Sequence, residues 1–189
     1  MFERFMTSFA RDPLANGIAV ATLIGMILSM IAAIWMVGDG DAQKRSPWPK
    51  WLIPAVCILG LGVAGYLTYV ESTAAKAVCG PIGDCNAVQA SPYARLFGLI
   101  PVGVMGLAGY AAILLAWLAR RYAPPRWTNA CNLAMWGMAV FGVLFSIYLT
   151  FLEPFVIGAT CAWCITSALL ITLLLWVTTP EAAAALADE

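Results

Sequence analysis

The sequence predicts an all-α integral membrane protein, a four-helix transmembrane bundle with one extra transmembrane helix at its N-terminal side. Two observations predict it. Of 189 residues, 62% are hydrophobic and only 11% are charged, where a soluble domain carries about 25% charged residues. The apolar residues also lie in long runs instead of alternating with polar ones, so lipid is the solvent for most of the chain. A hydrocarbon core about 30 Å thick takes roughly 20 residues at 1.5 Å each. Within it every backbone polar group must be satisfied internally, which selects helices.

Five runs qualify: 16–37, 51–70, 97–119, 130–152 and 162–177. The first is too long for the apolar region of a signal peptide, about 7–15 residues, and no small-x-small cleavage site follows it. It is expected to be a retained helix, preceded by a short segment, 1–15. The fifth run is the shortest and is expected to borrow its first turn from the cysteine segment before it. The core then spans 51–177, with two cysteine loops, and 178–189 is expected to be a short tail, too small to fold alone.

Basic residues near helix ends set orientation. Lys44, Arg45 and Lys50 lie in one connection, and Arg120, Arg121 and Arg126 in another, so both should be cytoplasmic. The connection 153–161 has no basic residue and should lie outside, as by alternation should 71–96. Arg4, Arg11, Lys76 and Arg95 run against this pattern. Trp48, Trp51, Trp117 and Trp127 are expected interfacial anchors. A net charge of zero gives no reason to expect nucleic acid, and membrane lipid is the surrounding partner. Histidine is absent, so the chemistry must rest on cysteine, carboxylate, hydroxyl or a bound cofactor.

One hexapeptide recurs. Tyr66-Leu67-Thr68-Tyr69-Val70-Glu71 is echoed by Tyr148-Leu149-Thr150-Phe151-Leu152-Glu153, and eight positions after each glutamate comes a cysteine, Cys79 or Cys161. A duplicated helix–loop unit would place two cysteine pairs near one membrane face. Glu71 and Glu153 are expected to be solvated helix-end residues; the sharper alternative is that they relay protons.

Cys161-Ala162-Trp163-Cys164 is a C-x-x-C motif at the start of a helix. There one thiol supports the thiolate of the other, and the helix dipole favours negative charge. Zinc is the alternative, and without histidine its remaining ligands would have to be Cys79 and Cys85. Outside the cytoplasm, disulfides are favoured over such a cage, so no metal is expected. Cys79 and Cys85 flank Gly80-Pro81-Ile82-Gly83-Asp84, a turn that lets them approach disulfide distance. The plain reading is a structural staple. Exchange needs a thiolate to reach an exposed disulfide, and a Gly/Pro loop beside a C-x-x-C suits that better. Cys57 and Cys131 lie within apolar runs and read as small hydrophobes. Gly103, Gly106 and Gly109 form a stripe that serves close helix packing or leaves room for a flat ring. Phe97, Tyr93 and Trp163 are candidates to line such a ring, interface anchoring being the ordinary alternative.

At these residues the chain resembles the bacterial vitamin K epoxide reductase family, in its disulfide-forming type without a fused thioredoxin-like domain. The resemblance covers about 51–177: four helices, both loops and both cysteine pairs in order. It includes five residues within the loop pair, Ser91-Pro92-Tyr93 after it, and the C-x-x-C opening the last core helix. DsbB-type oxidases usually present their C-x-x-C in the first outer loop, the reverse order.

The resemblance implies a membrane thiol–disulfide oxidoreductase that reduces a quinone, ubiquinone or menaquinone. It implies that Cys79 receives electrons from a separate thioredoxin-like (DsbA-like) protein, and that Cys85 carries them to Cys161. Cys164 would face the quinone ring and reduce it as the Cys161–Cys164 disulfide re-forms. Ser91 would position the loop, and 86–97 would form a half-helix lidding the site. The implied location is the bacterial inner (cytoplasmic) membrane with the redox loops on the outer face. The run 16–37 lies outside the family's core pattern. Vertebrate enzymes carry a tyrosine four residues after the second C-x-x-C cysteine, where this chain has Ala168, so a plain quinone is expected instead of an epoxide. Two other classes of function are a non-enzymatic subunit stapled by its disulfides and a thiolate metal-binding membrane protein.

Overall fold

A computed structural model describes residues 9–10, 12–38, 48–73, 75–80, 83–96, 98–122 and 124–187. Helix α1 (Pro13–Gly38) leads to α2 (Leu52–Thr73), then a short α3 (Cys85–Gln89) and a turn of 3-10 helix. Strands β1 (Arg95–Leu96) and β2 (Ile100–Pro101) form a small antiparallel hairpin, Leu96 opposite Ile100. Helices α4 (Val102–Tyr122), α5 (Thr128–Leu152) and α6 (Ala162–Ala187) complete the bundle. Among the described residues five helices, α1, α2, α4, α5 and α6, are long and apolar enough to cross a membrane. The protein is therefore an all-α, multi-pass membrane bundle.

Several ends differ from the apolar runs, each for a local reason. Helix α1 starts at Pro13 because Asp12 caps it, its Oδ1 accepting the Ala15 N–H at 3.0 Å, with proline at the first helical position. Helix α6 does not stop at 177. Thr178 and Thr179 donate their hydroxyls to the Leu174 and Leu175 carbonyls at 2.8 and 2.6 Å, and the alanine-rich sequence beyond Pro180 is strongly helix-forming. Glu181 pairs with Arg120 at the end of the bundle away from the cysteines. The stretch expected as a tail is thus mostly helix.

The expected half-helix over 86–97 is shorter than the sequence suggested. Asp84 starts α3 by accepting the Ala87 N–H at 3.0 Å; Pro92 ends any continuation, since it has no N–H to give. A turn at Gly98, with φ +72°, then folds the chain into the hairpin and delays α4 to Val102.

Helix α1 is more than an appendage. It packs on α5 and α6 through one stripe, Ala15, Ala19, Leu23, Met26, Met30 and Ala33. Its other face, with Ile24, Leu28, Ile31 and Trp35, is exposed to lipid. Small residues let the backbones close up, the dominant means of helix association in lipid. The same device joins α2 to α4: a Cβ on Gly103 would lie 2.7 Å from the Thr68 nitrogen. Gly60 leaves room for the Tyr110 ring, which a side chain there would strike.

Candidate functional site

Both cysteine pairs lie at one end of the bundle, and the loops that carry them are bonded to each other. Cys79 and Cys85 form a disulfide with their Cα atoms 6.0 Å apart. Cys85 opens α3 and is fully buried, whereas Cys79 is half-buried. The Asp84 N–H donates to the Thr160 carbonyl at 3.0 Å, joining the residue before Cys85 to the residue before Cys161. Gly83 makes that approach possible. Its φ is +85°, and a Cβ would collide with the Thr160 carbonyl. Cys85 and Cys161 then share one buried cluster with Val63, Leu67, Val70 and Val88.

Cys161 and Cys164 are free thiols. The Cys164 N–H donates to Cys161 Sγ at 3.3 Å. Hydrogen bonding from the Cys164 thiol, foremost, holds Cys161 below the ordinary thiol range against the opposing effect of burial. The N–H groups of Cys164 and Trp163 and the Gln89 side chain add to it. The N-terminus of α6 favours a thiolate at this position in the same sense.

The two repeat glutamates are not solvated, contrary to expectation. Glu153 is 2% exposed, and its Oε2 accepts the Cys161 N–H at 3.1 Å. Glu71, half-buried, likewise accepts the Gly103 N–H at 3.0 Å. Each carboxylate lies near the end of one transmembrane helix and satisfies a free N–H at the start of the next transmembrane helix, which in lipid has no water to turn to.

A cavity of about 310 Å³ lies between α2, α4, α5 and α6, and Cys164 is in its wall. The lining is mostly apolar, and Gly103, Gly106 and Gly109 all belong to it, with Ala168 and Tyr110. Gly109, Gly137 and Phe141 line it while being exposed on the bundle's outside, so it opens sideways towards lipid between α4 and α5. A second cavity, about 40 Å³, lies towards the loops and also contains Cys164, along with Ser91, Tyr93, Glu71 and Glu153.

The remaining sequence candidates fall as follows. Ser91 donates its hydroxyl to the Val88 carbonyl at 2.7 Å, closing α3, and Tyr93 lines the smaller cavity. Trp163 lines neither cavity, contrary to its expected place around a ring. Its Nε1 donates to the Val78 carbonyl at 2.9 Å, and its ring lies 4.6 Å from that of Tyr66. The Tyr66 hydroxyl in turn accepts the Val78 N–H at 2.7 Å. These aromatics hold the segment leading into Cys79. Phe97 lies outside the described residues. Cys57 is buried in the core, and Cys131 is half-buried near the other end of the bundle.

Two residues escaped the sequence reading. Gln89, one helical turn after Cys85, reaches the Cys161 thiol and leaves its Oε1 without a partner. Tyr110 donates its hydroxyl to the Ser167 carbonyl at 2.9 Å across the bundle. A hydroxyl inside an apolar run was the available signal for it.

No curated protein matches the chain. The model of the vitamin K epoxide reductase family matches residues 51–179, which takes in α2, both cysteine pairs, the cavity and most of α6. That family is one of membrane oxidoreductases, to which a helical bundle with two cysteine pairs at one end conforms, and by that match the chain belongs to the vitamin K epoxide reductase family.

Proposed function

We propose that the protein oxidises the dithiol of a thioredoxin-like partner and passes the electrons through its two cysteine pairs to a membrane quinone. The observation that carries this reading is the position of Cys164. It stands in the wall of an apolar cavity open to lipid and belongs to a pair whose loop is hydrogen-bonded to the other pair's loop.

The cycle balances. A partner thiolate attacks Cys79 and Cys85 leaves; the partner's second thiol then attacks the mixed disulfide, so that the partner's own disulfide forms and Cys79 leaves as a thiolate. Cys85 attacks Cys161 of an oxidised Cys161–Cys164 pair, and Cys164 leaves as a thiolate. Attack by Cys79 on Cys85 restores the loop disulfide and frees Cys161. The Cys161–Cys164 dithiol then holds two electrons and, on closing its disulfide, gives them up with two protons.

A quinone suits the cavity. About 310 Å³ is at the small end of the range for ligand sites, about 300–1,000 Å³, and suits a single ring. Gly109 of α4, with nothing within 4 Å of where a Cβ would lie, keeps the lateral opening clear for an isoprenoid tail. The quinone supplies a two-electron, two-proton acceptor; the protein positions Cys164 against it. Ala168 in the lining, in place of a tyrosine, favours a plain ubiquinone or menaquinone over an epoxide. Lys50, Arg120, Arg121 and Arg126 lie at the end away from the cysteines. That supports placing the redox loops on the outer face of a bacterial inner membrane.

The test is quinone reduction by a reduced thioredoxin-like protein. Cys79→Ala, Cys85→Ala, Cys161→Ala and Cys164→Ala should each abolish it, and Cys57→Ala and Cys131→Ala should not. Full activity in the Cys79 and Cys85 variants would make the loop disulfide a staple and refute the path.

A further inference from the structure

Helix α1 lies outside the segment that the family model matches, yet its first turn is bonded to both cysteine loops. Asp12 uses its two oxygens differently. Oδ1 caps its own helix at Ala15, an ordinary role. Oδ2 accepts the Gly83 N–H at 3.0 Å, across 71 positions of sequence, and the helix has no need of that bond. Asn16 is fully buried. Its Oδ1 accepts the Thr160 hydroxyl at 2.9 Å, and its Nδ2 donates to the Phe9 carbonyl at 3.1 Å. A buried amide in an apolar helix is costly unless bonded, and this one is bonded to the residue that precedes Cys161.

These bonds meet the direct one between Asp84 and Thr160. Three segments thus join within two residues of Cys85 and one of Cys161. We propose that the N-terminal turn of α1 is a clasp, with Asp12 and Asn16 as positioning residues that hold the shuttle cysteine Cys85 against Cys161. The clasp rests on the reading that electrons pass between the two pairs. The step it serves is attack of Cys85 Sγ on Cys161 Sγ, with rupture of the Cys161–Cys164 bond and departure of Cys164 as thiolate. Such a step needs the attacking sulfur in reach and in line. Gly80 and Gly83 have no Cβ to restrict their backbone, and the clasp restrains the segment before Cys85 from outside the core.

The experiment reads positioning directly. In a Cys79→Ala/Cys164→Ala background, Cys85 and Cys161 are the only thiols left in the outer loops. The full chain in micelles is equilibrated with reduced and oxidised glutathione. One oxidised glutathione is consumed and two reduced are formed per Cys85–Cys161 disulfide, so the midpoint gives the effective concentration of the two thiols. Adding Asp12→Ala and Asn16→Leu should lower that concentration about tenfold, the worth of a net hydrogen bond or so. An unchanged value overturns the clasp and leaves the relay standing. Absence of the disulfide even with Asp12 and Asn16 intact overturns the relay, and the clasp with it. Should the double clasp variant fail to fold, Thr160→Val and Thr160→Ser decide: valine should lower the effective concentration several-fold and serine restore it. Equal values for the two overturn the clasp.

Discussion

The carboxylate of Glu153 accepts the backbone N–H of Cys161 at 3.1 Å, so the residue that ends one transmembrane segment fixes the start of the C-x-x-C helix. With that oxygen removed, a buried N–H is left without a partner. Glu153→Ala should therefore destabilise the fold by about 1–3 kcal/mol, and Glu153→Gln, which keeps an acceptor, should recover most of it. Thermal unfolding in micelles measures both; equal losses would deny the bond its role.

Gly83 offers a sharper contrast. Gly83→Ala places a Cβ at φ +85° against the Thr160 carbonyl, and should cost about 1–3 kcal/mol while parting the two loops. Gly80, three residues earlier, has open space around it, and Gly80→Ala should stay within about 0.5 kcal/mol of the parent. Comparing their unfolding temperatures and their rates of electron transfer checks the pair.

Thiolate titration by ultraviolet absorbance should place Cys161 below the ordinary thiol value, about 8.5. The difference spectrum against Cys161→Ala isolates it. Cys164→Ala removes the chief hydrogen-bond donor, so the midpoint should move up. The sign for stability follows. A thiol whose folded value is depressed stabilises the reduced protein fully above the unfolded value, and that contribution is lost as pH falls through the folded one. Reduced protein should lose this increment on acidification, and Cys161→Ala should not.

Filling the cavity tests its use. Gly109→Leu and Gly137→Leu put side chains where nothing lies within 4 Å, at the lateral opening. Each should raise the quinone KM about tenfold, or about 1.4 kcal/mol, while the partner still reduces the Cys79–Cys85 disulfide at the parent rate. Quinone titration and a single-turnover thiol assay separate the two effects.

Much of this was legible in the sequence, because lipid imposes simple rules. Long apolar runs gave five helices, and the hexapeptide ending in Glu71 and Glu153 placed both cysteine pairs at one end. What hydropathy missed were the polar details that set ends and contacts. Asp12 and Pro13 start α1 earlier than its apolar run begins, and the hydroxyls of Thr178 and Thr179 are satisfied within α6, so they do not stop it. Glu153 looked like a solvent residue because its partner, the Cys161 N–H, belongs to the backbone and has no sequence signature. Trp163 carries the same ambiguity: an indole at an interface reads as an anchor or a wall, and only Val78 shows that it is a hydrogen-bond donor to a loop. Asn16 stands at the edge of an apolar run, and nothing in the sequence marks its amide as the group that joins that helix to Thr160.

The opening between α4 and α5 at Gly109, Gly137 and Phe141 faces hydrocarbon, whereas Cys79 faces the aqueous side. On the proposed electron path, reductant and acceptor reach this protein from different phases, one by diffusion in three dimensions and the other in two. For an acceptor dissolved in the bilayer, the quantity that saturates the enzyme is its mole fraction among the lipids. Adding empty lipid to proteoliposomes would then slow turnover at constant total quinone, and diluting the vesicles in buffer would not.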